Sequence, residues 1–488
     1  MRPTSAIARH VLLYATGSAV GGVTRAVLLP IIARTLTTAE YGVFSLLLAA
    51  VNLIHLVFEL GLVTALIKFH SETEDVSERI RLRSIVFLVM PAVDVLLALP
   101  LLLVRDLASR VLFGTPEYGD LFAIAVAIAF FAAQFQLFLG HLRAHDRSRM
   151  YAALMAVKGA ISLSLTLFLV VGLDWGVRGF LLGNLAGPAL VALVGIPLLM
   201  SRTDIDFSGA RARLRSMLAF GVPLVPSAIG IWLLSHLDSY LLRVLADLRS
   251  VGLYGFASEL CLPIVLLYFS VNLAWPSYSF SRAKQEGGPE ELARVFRHVF
   301  VALVAAALAV TVLRREILAV VATDEYAGAA RVLPFLALAT VLYAASTVFS
   351  TGVQVAGNTR RLPLFVLAAT LTNAGLNLLL IPSYREVGAA AATVITNLVL
   401  CLVMWKESNR QFPIPYEIGR LTRILLAAVV VSLAADASGE LAPVTGLAIR
   451  VAALAAYPLL LVLTGAVSVA ELRALPSVLA EISSRRSS

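Results

Sequence analysis

The chain has 488 residues, of which 59% are hydrophobic and only 14% are charged, with a mean hydropathy of +0.89 and a net charge of +9. An ordinary globular protein is about 45–50% apolar and about 25% charged, so these values exclude a soluble protein, and they equally exclude a disordered chain. The basic residues lie between apolar runs, which is a membrane pattern and not a nucleic-acid patch, and two cysteines are too few for a disulfide framework.

Fourteen stretches of the sequence are long and apolar enough to cross a bilayer, which takes about 20 mostly apolar residues. In chain order they are residues 11–33, 41–65, 84–104, 121–142, 150–172, 179–200, 216–241, 251–275, 299–320, 332–356, 363–382, 387–405, 422–437 and 446–468. The first is too long for a signal peptide and contains Arg25, so we expect it to be retained as a span. The sequence therefore predicts an all-α polytopic membrane protein with about 14 transmembrane helices.

The distribution of Lys and Arg predicts the orientation of the chain. The segments 79–83, 143–149 and 211–215 each carry three arginines, and all three lie on one side of the predicted spans. An excess of Lys and Arg marks cytoplasmic loops. Because the number of spans is even, we expect both the N-terminus and the C-terminus to be cytoplasmic.

Four short motifs occur twice, and each second copy follows about 209 residues after the first. The pairs are Thr115-Pro-Glu-Tyr118 with Thr323-Asp-Glu-Tyr326, Gly42-Val-Phe-Ser45 with Gly252-Leu-Tyr-Gly255, Val177-Arg-Gly-Phe180 with Glu386-Val-Gly-Ala389, and Asp146-Arg-Ser-Arg149 with Asn358-Thr-Arg-Arg361. This offset corresponds to six helices, so both copies enter the membrane from the same side, as in the parallel repeats of transporters.

The repeat predicts the domain organisation. We expect a six-helix N-terminal lobe at residues 1–200, a cytoplasmic linker at 201–215 and a six-helix C-terminal lobe at 216–405. Residues 406–488 then hold two extra helices, spans 13 and 14, and a cytoplasmic tail.

Several segments resemble a known family over about residues 10–405. They are Gly17, Arg25 and Pro30 followed by Leu36-Thr-Thr-Ala-Glu-Tyr-Gly-Val-Phe44, then Gly221-Val-Pro-Leu-Val-Pro226 through Asp238 to Val251-Gly-Leu-Tyr254, and Asn358-Thr-Arg360. These segments are similar to those of polysaccharide and O-antigen type flippases, whose superfamily also holds MATE-type multidrug extruders and lipid II flippases. The resemblance implies a MATE-like fold, with two six-helix lobes around a central cavity that opens alternately to either side. Many of these flippases have a basic residue after the span 7 aspartate, where this chain has Ser239.

Ionisable side chains inside the predicted spans are candidates for function, because a charge at mid-bilayer costs about 2.5–3.5 kcal/mol on insertion scales. The candidates for binding substrate in a cavity are Arg25, Lys158, Asn52, Asn373 and Asn377, and those for ion coupling are His55, Glu59, Asp94, His236, Asp238 and Glu259. Arginine suits an anionic group because its planar fork binds phosphate and stays charged, whereas histidine titrates near neutrality. We therefore expect Arg25 and Lys158 to hold an anionic group in a hydrated cavity.

Structural roles are open for several of these residues. Arg25 and Asp94 lie at similar estimated depths, so they would also make a purely structural ion pair. Asp238 lies near the outer end of span 7, where we expect a solvated or capping residue. Helix packing through small residues and amide hydrogen bonds is expected for Gly17-xxx-Gly21 and Gly183-xxx-Gly187, and it fits Asn373 and Asn377 as well as a cavity does.

The sequence contains no signature of an enzyme, a cofactor or a metal site. It has no G-x-x-x-x-G-K-[ST] loop and no H-E-x-x-H, G-x-S-x-G or Cys/His metal spacing. A membrane glycosyltransferase or polysaccharide ligase is the less favoured alternative, since Asp106, Glu117 and Asp120 lie in one short outer connection.

With the resemblance, the sequence indicates a flippase of the bacterial cytoplasmic membrane for surface polysaccharide biosynthesis. Its substrate would be an undecaprenyl-diphosphate-linked oligosaccharide, carried from the inner to the outer leaflet by alternating access. Membrane lipid, a polysaccharide polymerase and chain-length machinery are the expected partners, and nucleic acid is not. A cation-coupled multidrug extruder and a lipid II flippase are the alternatives, and the sign of the charges that line the cavity would separate a cationic from an anionic substrate.

Overall fold

The computed structural model describes residues 21–201, 204–437 and 443–471, and these residues form helices joined by short turns, with no β-strand among them. In chain order the helices are α1 (residues 21–35), α2 (Thr38–Glu59), α3 (Leu62–Glu72), α4 (Val76–Leu103), α5 (Arg105–Phe113), α6 (Gly119–Ala144), α7 (Ser148–Leu167), α8 (Gly176–Leu190), α9 (Ile196–Ser201), α10 (Ala210–Gly221), α11 (Val225–Leu245), α12 (Leu248–Leu260), α13 (Leu262–Arg282), α14 (Gly288–Val312), α15 (Arg314–Val321), α16 (Ala329–Phe349), α17 (Thr351–Val355), α18 (Leu362–Gln411), α19 (Ile418–Asp436) and α20 (Pro443–Leu463).

The prediction of an all-α polytopic membrane protein is confirmed. Eleven helices of the described residues are long and apolar enough to cross a membrane, or twelve when the bent pair α12 and α13 counts as one span. The number fourteen is not confirmed. Two predicted spans fall in the single helix α18, which is interrupted at Arg385, and residues 11–20 of the first predicted span lie outside the described residues.

Several helices extend well beyond the apolar stretch that predicted them. The ninth span, predicted at 299–320, falls on α14, which begins at Gly288 and ends at Val312, and on the short helix α15 that follows it. Pro289 and two glutamates occupy the first turn of α14. The N–H groups of a first turn have no acceptor within the helix, so proline, which has no N–H, is well tolerated there, and acidic side chains interact favourably with the positive end of the helix dipole. The bounds predicted from hydropathy were therefore wrong here, because a helix continues into the interface for as long as its local signals permit.

The second predicted span is two helices in the structure. Helix α2 ends at Leu60 with a φ of 46°, and Gly61 follows with a φ of 68°. A Cβ on Gly61 would lie 2.4 Å from the carbonyl oxygen of Gly221. The break thus brings the backbones of α3 and α10 together at a pair of glycines, a contact that hydropathy does not reveal.

The motifs of the internal repeat occupy matching turns. After α6, Asp146 has a φ of 53° and the N–H of Arg147 donates to the carbonyl oxygen of Leu142. After α17, Gly357 has a φ of 75° and the N–H of Asn358 donates to the carbonyl oxygen of Val353. Both are helix ends closed by a left-handed residue, so this repeated motif is a turn signal.

Two further repeated glycines lie where backbones approach closely. A Cβ on Gly179 would lie 2.9 Å from a methyl group of Val170, and one on Gly388 would lie 2.4 Å from the carbonyl oxygen of Leu380. Each glycine follows the tight turn between two successive helices, α7 and α8 in the first copy and the two halves of α18 in the second. The repeat therefore conserves the geometry of this corner within the one chain.

A very close backbone contact joins Gly42 on α2 to Gly252, which lies in the first turns of α12. A Cβ on Gly42 would lie 2.1 Å from the carbonyl oxygen of Leu248, and one on Gly252 would lie 1.8 Å from that of Thr38. Each glycine therefore faces the helical turn that comes just before the other glycine in the sequence. The two glycines occupy equivalent positions of the repeat. Small residues allow such close approach, which is how helices associate in lipid.

Contacts divide the chain into two compact units, residues 6–252 and 253–488. The first includes α10 and α11, and the indole N–H of Trp232 on α11 donates to the carbonyl oxygen of Ala49 on α2 at 3.1 Å. The lobes at 1–200 and 216–405 stay a prediction. Within the predicted linker, residues 210–215 are helical and belong to α10.

The linker is attached to the start of α4 by ion pairs within the first unit. The guanidinium of Arg213 donates two hydrogen bonds to Glu78, at 2.5 and 2.6 Å, and that of Arg81 donates to Asp206 at 2.7 Å. The N–H of Asp206 also donates to the hydroxyl of Ser84. Bidentate pairs of this kind impose a geometry, so this charged segment has a defined position.

In the second unit, helices α19 and α20 are tied to α14 by a buried arginine. Arg297 is only 3% exposed and its guanidinium donates to both Glu417 and Glu471. Removing one partner of such a buried pair leaves an uncompensated charge. The two extra helices are therefore an integral part of this unit.

We expect Gly252→Ala to weaken the fold, because the added methyl group would overlap the carbonyl oxygen of Thr38. Overpacking of this kind typically costs roughly 1–3 kcal/mol, which should lower the unfolding temperature of the purified protein in detergent. Gly230→Ala is the matched control, since no heavy atom lies within 4 Å of its added carbon. Equal unfolding temperatures for the two variants would contradict the importance of this contact.

We expect the linker to detach only in strong acid. Hydrogen bonds from Arg81 and Ser208 hold the pKa of Asp206 well below its usual range. A carboxylate with a lowered pKa in the folded state stabilises it above the unfolded value of about 3.9, and the effect is lost as the pH falls through the folded value. Hydrogen–deuterium exchange of residues 204–209 should therefore stay slow at neutral and mildly acidic pH.

Asp206→Asn should accelerate this exchange already at neutral pH, whereas Asp174→Asn, at an exposed carboxylate elsewhere in the same unit, should not. Unchanged exchange in Asp206→Asn would show that the ion pair does not position the linker.

Candidate functional site

Lys158 on α7 is a cation inside a membrane-spanning helix, and it forms no ion pair with any carboxylate of the described residues. Its side chain is half-buried, and its ammonium nitrogen lies 5.5 Å from the ring centroid of Phe135. In the part of the chain that the structure describes, no carboxylate lies within ion-pair distance of Lys158, and its charged neighbour is another cation, Arg25. Two like charges in proximity repel, so an anionic group beside Lys158 would be stabilised.

Arg25 lies on α1 and is exposed at the surface of the first unit. The alternative ion pair with Asp94 is wrong for the described residues, because Asp94 is fully buried and accepts its hydrogen bond from the amide of Gln134, at 2.6 Å. The sequence-based argument rested on depth alone, and depth does not say which side of a helix a residue occupies. Arg25 is thus brought near Lys158 and not to the carboxylate.

Three of the ion-coupling candidates form one cluster in the first unit. The Nε2 atom of His55 lies 3.4 Å from a carboxylate oxygen of Glu59, one helical turn along α2. Glu59 in turn interacts electrostatically with Asp94 on α4. Asn52, predicted to bind substrate, lies one turn before His55 on α2 and is exposed.

Gln134 is a member of this cluster that the sequence analysis missed. Its amide contacts Asp94, and two oxygens of the pair, Oδ1 of Asp94 and Oε1 of Gln134, are buried without a hydrogen-bond partner. A buried acceptor without a donor costs about 1–3 kcal/mol. The available signal was a glutamine in the middle of the apolar fourth span, opposite an aspartate in the third.

Ser162 and Thr166, which follow Lys158 on α7 at intervals of four residues, pack against glycines of α8. A Cβ on Gly187 would lie 2.6 Å from the hydroxyl of Ser162, and one on Gly183 would lie 1.9 Å from that of Thr166. The packing role predicted for Gly183-xxx-Gly187 is therefore confirmed, while Gly17 lies outside the described residues. Ser162 and Thr166 are buried by this contact, whereas Lys158 is half-buried.

His236 and Asp238 lie on α11, in a different part of the first unit. The Nδ1 atom of His236 lies 3.1 Å from the carbonyl oxygen of Trp232, and the two rings stack at 5.2 Å. Asp238 is only 3% exposed. The expectation that it is solvated or a cap was wrong, because α11 continues to Leu245 and leaves Asp238 inside the helix.

The candidates of the second unit do not form one site. Asn373 and Asn377 are 1% and 0% exposed, and the amide of Asn377 donates to both the carbonyl and the side-chain oxygen of Asn373 at 3.0 Å. Glu259 is half-buried near the end of α12, where the chain bends by 53° into α13. The burial of the asparagines favours packing, and their role in substrate binding stays a prediction.

An uncharged groove in the second unit was also missed by the sequence analysis. It lies between α13, α14 and α16, with Tyr268, Asn272 and Thr347 at its rim. Four polar residues follow spacings of four, three and four: Tyr343 and Thr347 on α16, Ser350 at its end and Gln354 on α17. Such spacing places residues on one helical face, and this signal was available in the sequence.

Three histidines gather at the ends of α3 and α6. The ring centroids of His70 and His145 are 4.3 Å apart, and those of His141 and His145 are 4.2 Å apart. Burial and the neighbouring His145 lower the pKa of His70 to about 4, so this histidine is neutral at physiological pH. No group of three His, Cys, Asp or Glu side chains among the described residues is arranged to hold a metal ion.

Comparison with known proteins places the chain in a family. The model of the polysaccharide biosynthesis protein family matches residues 7–279, more than half of the chain, and the MatE family model matches residues 223–379. A search of the curated proteins finds no significant match.

Solved structures of similar fold are membrane transporters. The lipid II flippase MurJ, in an inward closed conformation, aligns with a TM-score of 0.69 and 14% identity over 92% of this chain and 98% of MurJ. A multidrug resistance MATE family transporter of the MOP superfamily, in an inward-facing conformation, aligns with a TM-score of 0.64 and 16% identity over 80% and 94% of the two chains. A MOP superfamily transporter from Pyrococcus furiosus aligns with a TM-score of 0.53 and 16% identity over 84% and 96%.

At these identities the structural similarity shows the fold alone, and the family model carries the assignment. The chain is a multi-pass membrane protein with the fold of MOP superfamily transporters, and it belongs to the polysaccharide biosynthesis protein family.

Proposed function

We propose that the protein is a flippase that carries an undecaprenyl-diphosphate-linked oligosaccharide from the inner to the outer leaflet of the bacterial cytoplasmic membrane. Membership of the polysaccharide biosynthesis protein family supports a role in making surface polysaccharide. The fold shared with transporters supports alternating access. The charge of the substrate is proposed from the side chains of the first unit.

The observation that carries the proposal is Lys158, a cation inside a span with Arg25 as its charged neighbour. A charge costs about 2.5–3.5 kcal/mol at the centre of an inserted helix, and no carboxylate among the described residues offsets it. A diphosphate would offset the charge of Lys158 and would exchange its water shell for charge-assisted hydrogen bonds.

The remaining parts of the substrate follow from its chemistry. The sugars carry hydroxyl groups and require a hydrated path, whereas the polyprenyl tail is apolar and remains in membrane lipid. We propose that both termini are cytoplasmic, as the distribution of Lys and Arg predicts, and that a polysaccharide polymerase and chain-length machinery act on the exported product.

We further propose that Asp94 couples transport to a proton. Its carboxyl group is 0% exposed, and one of its oxygens has no hydrogen-bond partner. Its charged neighbour is a second carboxylate, Glu59. A buried carboxylate without a counter-charge binds a proton in preference to remaining ionised, and the chain from His55 through Glu59 to Asp94 provides groups that exchange protons.

A cation-coupled multidrug extruder is the second candidate, because Glu59 is half-buried and would attract a cationic drug. Against it, Glu59 already lies beside His55, and Asp94 is not accessible to a drug. A deletion strain separates the two functions. Loss of surface polysaccharide with precursor accumulating in the inner leaflet supports the flippase, whereas drug sensitivity alone supports the extruder. Restoration of growth in a strain depleted of its lipid II flippase would support the third candidate.

Lys158→Met should abolish export while the protein still inserts and remains stable. One lost charge-assisted hydrogen bond, worth about 1.5–3 kcal/mol, lowers the affinity for a diphosphate roughly 10- to 100-fold. The measurement is accumulation of lipid-linked precursor in the inner leaflet at matched protein levels, and Arg25→Ala should behave in the same way.

Lys158→Arg retains the cation and should keep most of the activity. The matched control is Lys284→Met, at an exposed lysine outside the spans, which should export normally. Wild-type export by both Lys158→Met and Arg25→Ala would remove the cations from the site and with them the argument for an anionic substrate.

Asp94→Asn should leave the protein folded, since an amide retains an oxygen for the hydrogen bond from Gln134, but it should abolish the dependence of export on the proton gradient. Export by reconstituted protein is measured with and without an imposed pH difference. Asp120→Asn, at an exposed carboxylate in an outer turn, is the control. A persisting response to the pH difference in Asp94→Asn would exclude this residue as the coupling group, and a response to Na⁺ alone would replace the proton as the coupling ion.

A further inference from the structure

Helix α5, which follows α4 at one end of the first unit, has an apolar face that the rest of the described chain leaves uncovered. This α5 apolar face consists of Val104, Leu107 and Val111, whose side chains are 43%, 60% and 73% exposed. Their spacing of three and four residues places them on one helical side. The opposite side holds Ser109 and Phe113, which are buried. A helix bathed in water presents polar residues outward, so the α5 apolar face is not adapted to water.

The length of α4 places α5 at the boundary of the membrane. Near its start α4 is attached to the linker, where Arg81 binds Asp206. From Arg83 to Val104 the helix measures about 31 Å at a rise of about 1.5 Å per residue, which matches a hydrocarbon core of about 30 Å. Asp94 is the one charged residue within this stretch. Helix α5 therefore begins where the lipid tails end, on the side of the membrane opposite the linker.

Contacts with the start of α6 keep α5 at this boundary. At the beginning of α5 the guanidinium of Arg105 forms an ion pair with Asp120 at 2.9 Å. At its end the ring of Phe113 packs edge-on against that of Tyr118, with centroids 5.0 Å apart. Because both ends of α5 contact residues 118–120, the helix runs across the end of the unit and does not extend away from the membrane.

The second copy of the repeat shows how an equivalent helix is covered by protein. Helix α15 follows α14 as α5 follows α4, about 209 residues later. Its Glu316 binds Arg450 on α20, and its Arg314 binds Asp436 at the end of α19. Over an apolar stretch of 18 residues, 72% of α14 is buried but only 33% of α4. Arg105, at the position of Arg314, pairs instead with the start of α6.

Two further charges that attach the extra helices in the second copy are replaced by leucines in the first. Leu107 stands 209 residues before Glu316, and Leu88 stands 209 residues before Arg297, the buried arginine that ties α19 and α20 to α14. Both leucines are exposed. A partner helix held by similar ion pairs finds no counterpart at these two positions, whereas acyl chains are as apolar as leucine and need none. The face is therefore suited to lipid.

We propose that α5 is a membrane-interface helix and that the α5 apolar face inserts into the lipid leaflet opposite the linker. This face continues the lipid-facing side of α4, where Leu96 and Leu99 are exposed. Helices of this kind lie about 5–10 Å deep at the boundary between headgroups and acyl chains. Arg110, exposed at the flank of the face, lies at the level of the lipid phosphates. The contact fixes the depth of the first unit in the bilayer, whatever substrate the protein carries.

The test is a depth measurement by electron paramagnetic resonance on the full-length protein in phospholipid nanodiscs. A nitroxide label is attached to Leu107→Cys or to Val111→Cys. Its collisions are measured with O₂, which dissolves in lipid, and with a nickel chelate, which dissolves in water. Cys261 and Cys401 are buried, so the wild type treated with label is the control for specific attachment. Both substituted side chains are exposed, so the variants retain the packing of the fold.

Two labelled reference variants calibrate the depth. Leu96→Cys is exposed within the span α4 and reports lipid, whereas Glu117→Cys is exposed in the turn after α5 and reports water. We expect the ratio of O₂ to chelate collisions at Leu107→Cys and Val111→Cys to lie above that of Glu117→Cys and below that of Leu96→Cys.

A ratio equal to that of Glu117→Cys would place α5 in water and overturn the proposal. Protection of both labels from both reagents would overturn it as well, because protein, such as a second copy of the chain, would then cover the face. Neither outcome bears on the flippase function, since the measurement contains no transported lipid.

Discussion

Helices in lipid are held together by close backbone contact, because burial of apolar side chains gains little when the surrounding tails are equally apolar. This constraint explains where the glycines of the chain lie. Gly42 and Gly252 each leave room for a carbonyl oxygen of the other's helix, and on α8 Gly187 faces the carbonyl oxygen of Lys158 and Gly183 faces the hydroxyl of Thr166. Gly179 and Gly388, which are 209 residues apart, both lie in close contact after a tight turn, so this one contact recurs in the two copies of the repeat.

The polar groups inside the apolar spans differ in whether the protein itself supplies them with a partner. The ring of His236 and the amide of Asn377 both form hydrogen bonds with carbonyl oxygens of their own helices. Lys158 has no carboxylate beside it among the described residues, and Asp94 has a neighbour of its own sign. These two groups remain incompletely satisfied by the described chain, and they are therefore the ones for which an anion and a proton are proposed.

Composition and apolar periodicity predicted most of the helices, because the length of a span is set by the bilayer and can be counted in the sequence. The repeat was also visible, since its turns require particular residues such as Gly357 and Asp146. Helix ends were predicted less well. α14 begins eleven residues before the predicted span, because hydropathy reports the apolar part of a helix and not its caps. Asp238 was misplaced for the same reason.

The sequence by itself determined the membrane class, the family resemblance and the set of ionisable residues inside the spans, since these depend on composition and on local spacing. Only the tertiary structure decided which of these ionisable residues lie close to each other. Asp94 contacts Gln134 and not Arg25, and Arg25 lies near Lys158 instead. Helical spacing specifies the face of one helix, whereas the partner of that face depends on how neighbouring helices rotate against each other. That rotation is settled by the packing of many side chains at once and cannot be read from any single segment.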